Sequence, residues 1–240
     1  MKDLTFKKNI EHKTLIKECH IQNVNLIKKK LAIHTFGNIS CRIEKNYFVI
    51  KPSGTNLSSL KFTDYPIVRI SDGKIVSGKL KPSSDTPTHL FLYKNYAHIG
   101  AISHTHSKFA TAWSQASKPI PILGTTHADY SKKNIPITAP LKNSQLSKDY
   151  EYNTGKAIKD CLKINKLDPS NCLGVLVRNH APFCWGRNAQ EAFNNSEILE
   201  YIAELAFISI TINSKSKISK NLINKHFSRK HGKKSYYGQR

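Results

Sequence analysis

The chain has 240 residues, of which 39% are hydrophobic, with 38 Lys and Arg against 16 Asp and Glu for a net charge of +22. That aliphatic content excludes a disordered chain, and the length suits one sizeable α/β domain with a full core rather than two. Residues 1–8 lack an apolar signal core and the longest later apolar run, residues 203–212, is too short to span a bilayer, so a cytoplasmic protein without membrane contact is expected.

In chain order, residues 5–31 carry Phe6, Ile10, Leu15, Ile16, Ile21, Val24 and Ile27 at helical spacing, which predicts an N-terminal helix or helix pair. Residues 47–51 and 67–70 are rich in β-formers, and Ser71-Asp72-Gly73-Lys74 signals a hairpin turn before Ile75 and Val76. That hairpin also holds G-x-x-x-x-G-K from Gly73 to Lys79. Leu80 stands where a phosphate-binding loop needs Ser or Thr, and no strand-to-helix transition surrounds it, so a nucleotide site is excluded there. Asp85 before Thr86-Pro87 marks a helix start for the run containing Leu90, Phe91 and Tyr93. Residues 99–103 read as a strand, 154–166 as a helix, 173–177 as a buried strand and 189–212 as a helix. The expected fold is a single α/β domain over residues 1–240, with a central sheet flanked by helices.

The basic residues run through the chain as Lys7-Lys8, Lys28 to Lys30, Lys132-Lys133, Lys215, Lys217, Lys220 and a C-terminal group ending at Arg240, not as one patch. Non-specific affinity for nucleic acid is therefore expected as a side effect, with no specific nucleic-acid partner. Cys19, Cys41, Cys161, Cys172 and Cys184 are odd in number and form no Cys-x-x-Cys pair, which points to free thiols in a reducing compartment.

The chemistry concentrates in residues 81–130, which hold His89, His98, His104, His106 and His127. Side chains two apart on a strand share a face, so His104 and His106 would present both imidazoles to one point. The pair by itself is not specific, because histidines also serve as ordinary hydrogen-bonded groups. His180, just past the buried strand 173–177, supplies a third imidazole, and three protein ligands suit a catalytic zinc. Asp85 offers either a fourth, carboxylate ligand or a helix cap, and both roles stay open. Ser53-Gly54 and Ser83-Ser84 provide hydroxyls and exposed backbone N–H groups of the kind that hold an anion.

TFGNIS (35–40), KPSGT (51–55), KPSSDTPTH (81–89), HTH (104–106), GTTHADY (124–130), NHAPFCWG (179–186) and KHFSRKHGKKSYYGQ (225–239) together resemble the class II aldolase/epimerase family, in the family's order. The resemblance spans residues 31–239 and implies a mostly antiparallel central sheet. It implies Zn2+ held by Asp85, His104, His106 and His180, and a sugar phosphate bound by Gly37, Asn38, Ser53, Gly54, Ser83 and Ser84 with Lys51 and Thr125 nearby. The activity implied is epimerisation at C4 of L-ribulose 5-phosphate to D-xylulose 5-phosphate, by breaking and remaking the C3–C4 bond. Asp129 and Tyr237 match the family's two acid/base positions. The basic tail 214–240, with His226, Arg229 and Tyr237, would complete a neighbouring subunit's site in a homotetramer. Departures are Phe36 where members often carry Trp, Arg178-Asn179 before the third histidine, and Ala181 for a common Gly. A class II sugar-phosphate aldolase is the alternative, and a basic nucleic-acid-binding protein comes after it. The short Asp85, where the family's aldolases use Glu to protonate a released fragment, favours the epimerase.

Overall fold

A computed structural model describes residues 9–231 together with 235 and 236. Seven strands form one sheet in the order β4-β3-β2-β1-β5-β7-β6, and every ladder between neighbours is antiparallel. They are β1 (Asn38–Ile43), β2 (Tyr47–Ile50), β3 (Ile67–Arg69), β4 (Ile75–Ser77), β5 (Ala101–His104), β6 (Gly174–Leu176) and β7 (Pro182–Gly186). The helices are α1 (Ile10–Lys28), α2 (Thr86–Asn95), α3 (Lys108–Gln115), α4 (Thr125–Ala128), α5 (Asn143–Ser147), α6 (Tyr150–Ile164), α7 (Ala189–Ile212) and α8 (Lys220–Lys230). The hairpin forms where Asp72-Gly73 foretells it, between β3 and β4.

Period-two alternation divides the core into layers. Ile39, Cys41 and Ile43 of β1, Val49 of β2 and Ala101 of β5 face α1 and the start of α7. Phe48 and Ile50 of β2, Ile102 of β5, and Phe183 and Trp185 of β7 face α2 and α6. Cys184 points the other way, toward α3 and the middle of α7. The sheet is thus covered on both faces, as the sequence predicts.

Local differences have local causes. The N-terminal segment is one helix, begun at Asn9, whose side chain accepts from the His12 N–H at 2.8 Å. Strand β1 escapes a sequence reading because Asn38, Ser40 and Arg42 fill its second face. Ser40 and Arg42 are satisfied by partners from distant elements, with Ser40 Oγ 2.7 Å from His89 Nδ1 and Arg42 reaching the Tyr93 and Ile99 carbonyls. Helix α6 starts at Tyr150 rather than Thr154, directly after Asp149 in the left-handed region. It presses close to α2: a Cβ on Gly155 would lie 2.8 Å from Phe91 Cβ, so glycine permits this approach. All five cysteines are buried and unpaired. Among the described residues no helix is long and apolar enough to cross a membrane.

Candidate metal centre

His104 ends β5, and His106 lies two residues beyond, where the backbone still follows its neighbours: Thr105 N–H donates to Pro182 and His106 N–H to Leu31. Because β5 pairs with β7 in the register His104 to Phe183, the loop before β7 is carried alongside. That loop holds His180, and one ring nitrogen each of His104, His106 and His180 lie within 4.8 Å of one another, close enough to hold a metal ion together. His104 Nε2 and His106 Nε2 are 3.1 Å apart. A tetrahedral zinc with Zn–N of about 2.0–2.1 Å would separate two nitrogens by roughly 3.3 Å, close to the His104–His106 spacing, and the donor set of three imidazoles suits a metal ion.

The imidazoles are also in the right protonation state. Burial lowers the pKa of all three, His180 to about 4, and their mutual repulsion adds to the effect. Each is held neutral, with a lone pair to give. His104 Nδ1 donates to the Pro182 carbonyl at 3.0 Å, which leaves Nε2 as the nitrogen available to a metal, and its ring stacks on Phe183 at 4.1 Å. Phe36 covers His106 with ring centroids 5.4 Å apart.

Asp85 approaches this group, with Oδ2 4.0 Å from His104 Nε2. Although it occupies the position before α2, its side chain makes no cap hydrogen bond; Oδ2 accepts instead from Asn38 Nδ2 at 2.6 Å and from Ser83 Oγ at 3.4 Å. The capping role is therefore not taken. Burial raises its pKa, but His104, His89, Asn38 and His180 together outweigh that and hold the carboxyl below its ordinary value.

Two loops lie side by side next to Asp85. Pro52 bridges to Pro82, Ser53 N–H donates to Lys81 and Ser83 N–H to Lys51, so residues 51–54 and 81–84 share one edge. Ser53, Gly54 and Ser84 are exposed there, and nothing lies within 4 Å of a Cβ built on Gly54. Lys51 is buried, its ammonium donating to the Thr35 carbonyl at 2.8 Å. Gly37 has φ +70, and a Cβ there would sit 2.9 Å from the His104 carbonyl oxygen. Asn38 Oδ1 is buried without a hydrogen-bond partner.

The remaining expected residues gather elsewhere. Asp129 follows α4, where its N–H donates to the Thr125 carbonyl, and its carboxylate meets His226 Nδ1 at 3.0 Å and Arg229 at 3.0 and 2.7 Å. Lys230 Nζ stands 3.6 Å away, and His231 lies 2.9 Å from the Asp129 carbonyl. Burial opposes ionisation, but Arg229, His226 and Lys230 hold this carboxyl below the usual range. The Asp129 cluster and the histidine cluster share no residue. Tyr237 lies outside the described residues.

Three histidines of the 81–130 stretch do other work: His89 is buried beneath β1 on Ser40, His98 pairs at the surface with Asp168 at 3.4 Å, and His127 is buried in α4. Sequence reasoning missed Tyr150, whose Oη is 3.3 Å from His180 Nδ1, and Lys230 and His231 on Asp129. Asp149 before Tyr150 is a helix-start signal that could have flagged the first of these.

Comparison with known proteins gives the family. The family model for the class II aldolase and adducin N-terminal domain matches residues 22–207. An L-ribulose-5-phosphate 4-epimerase UlaF from Salmonella paratyphi B is 44% identical over 220 residues, covering 91% of this chain and 95% of that protein. An L-fuculose 1-phosphate aldolase structure superposes with a TM-score of 0.75 at 24% identity, covering 90% of this chain and 95% of the other. Another, from Glaciozyma antarctica, gives 0.73 at 16% identity over 95% of this chain and 86% of the other. With the family model covering most of the chain and a relative at 44% identity along nearly its full length, this chain belongs to the class II aldolase family.

Proposed function

We propose that the protein is a zinc-dependent L-ribulose-5-phosphate 4-epimerase acting in the cytoplasm. The observation that carries this reading is the convergence of three neutral imidazoles with the short carboxylate of Asp85, in a chain 44% identical to a protein of that name. His104, His106, His180 and Asp85 would hold Zn2+; when bound, the ion supplies Lewis-acid stabilisation of the charge that develops on the substrate's C2 and C3 oxygens as the C3–C4 bond breaks.

The chain's own residues supply binding and proton transfer. On the paired loops Ser53 and Ser84 offer exposed hydroxyls to the substrate phosphate and Gly54 lets it approach the backbone, while Ser83 holds the loops together, because the Ser53 and Ser83 N–H groups are given to the Lys81 and Lys51 carbonyls, against the expectation that they stand free. The unpartnered Oδ1 of Asn38 is an acceptor for a substrate hydroxyl, and Gly37 lets the backbone lie flat against His104. Lys51, pinned to Thr35, sets a positive charge behind Asp85.

Inversion at C4 moves an oxygen from one face to the other, so an acid/base group is needed on each side. Asp129 and Tyr237 take those roles in our reading. His226 and Arg229 bind Asp129 within one chain, which favours Asp129 and the tail 214–240 acting together as one block on a neighbouring subunit's metal in a homotetramer, with Thr125 carried alongside.

The test is purified protein with L-ribulose 5-phosphate, with and without chelator, followed for D-xylulose 5-phosphate. Chelator-sensitive conversion is expected. Accumulation of glycolaldehyde phosphate instead would identify an aldolase, and the absence of any turnover in zinc-loaded protein would overturn the reading.

A further inference from the structure

The three imidazoles are not held alike. His104 belongs to a strand, is buried, and has its Nδ1 fixed by a backbone carbonyl and its ring face by Phe183. His180 belongs to a loop, one residue after Asn179 in the left-handed region, and is only partly buried. The partner of its Nδ1 is a side chain, the phenol of Tyr150. An imidazole binds a metal through the nitrogen that carries no proton, and a partner on the other nitrogen decides which one that is. For a loop histidine, that partner also decides where the ring points.

We propose that Tyr150 is a positioning residue of the metal centre: its oxygen accepts from His180 Nδ1–H and so fixes the ring with Nε2 toward His104 and His106. This rests on the metal-centre reading above. The anchoring of Tyr150 fits the task. It is the first residue of α6, and its carbonyl accepts from Thr154 Oγ1 at 3.0 Å. Thr88 Oγ1 of α2 donates to the carbonyl of the next residue, Glu151, at 2.6 Å, and Gly155 lets the two helices touch. Asp85 stands immediately before α2. One packed helix pair therefore carries both the carboxylate that approaches His104 and the hydroxyl that steers the loop histidine.

The test compares wild type, Tyr150→Phe and His180→Asn by titrating metal-free protein with zinc against a chromophoric chelator, and by the visible spectrum of the Co2+-loaded forms. Tyr150→Phe keeps the ring and removes one oxygen. It should still bind one ion per chain, with affinity lowered by about 10–100-fold and an altered Co2+ band, whereas His180→Asn should lose more. Tyr150→Gln restores an acceptor and should bind more tightly than Tyr150→Leu. Wild-type affinity and spectrum in Tyr150→Phe, or equal affinities in the Gln and Leu variants, would overturn the proposal while the metal centre stands. Failure of wild type itself to bind zinc would overturn both.

Discussion

Arg229 donates two hydrogen bonds to the carboxylate of Asp129, from Nε to Oδ1 at 3.0 Å and from Nη2 to Oδ2 at 2.7 Å, across 100 residues of the same chain. Bidentate pairs of this kind fix orientation as well as distance. If the pair serves a neighbouring subunit's metal, His106→Asn and Asp129→Asn chains should complement each other when subunits exchange. One chain supplies the metal and the other supplies Asp129 and the tail. Asp129→Asn mixed with Tyr237→Phe should stay inactive, because both groups then travel on one chain. Each variant alone should lose about 10²-fold or more in epimerisation rate. Recovery in the second mixture would place Asp129 in its own chain's site.

His104→Asn, His106→Asn and His180→Asn should each lower bound metal and turnover together, since a three-imidazole site loses affinity with any one ligand. His104→Asn should also lower stability, because that ring is buried against Phe183. Elemental analysis beside steady-state rates provides the check. Full metal content and normal turnover in two of the three would sink the ligand assignment.

Gly37→Ala should cost roughly 1–3 kcal/mol of stability from the left-handed backbone alone. It should also disturb the metal centre, because the added carbon meets both Ala32 Cβ and the His104 carbonyl oxygen at 2.9 Å. Denaturant unfolding and zinc affinity should change together. A stable variant with ordinary zinc affinity would contradict the close approach.

Metal-free protein should lose stability as pH falls from about 6.5 toward 4. Burial lowers the pKa of His127 to about 4, with the carbonyls of Pro121 and Lys133 opposing, so the unfolded chain binds the proton first. Stability is then fully present above the unfolded value near 6.5 and decays as the proton is taken up, by on the order of 3 kcal/mol once both states are protonated. His127→Gln should flatten the pH dependence of the unfolding midpoint over that window. An unchanged slope would mean that His127 is not the titrating group.

Much of this was legible in the sequence because it depends on short-range geometry. The alternation along residues 47–50 sets which side chains face each layer, Asp72-Gly73 sets the hairpin, and the spacing of His104 and His106 sets two imidazoles toward one point. The seven motifs likewise identified the family without any contact being known. Net charge told nothing specific, since the lysines are scattered.

Tertiary structure decided the rest. His180 joins the cluster because β7 pairs with β5 in a register that sets His104 against Phe183, a pairing across nearly eighty residues that no local window contains. Asp85 sits at a helix start by every local signal, yet Asn38 and Ser83, brought in by β1 and the adjoining loop, draw its carboxylate away from the cap. His89 and His127 resemble His104 in sequence context but are buried beneath other elements. Local sequence fixes which way a side chain points relative to its own backbone; what it meets there depends on strand order and register, which the whole chain settles at once.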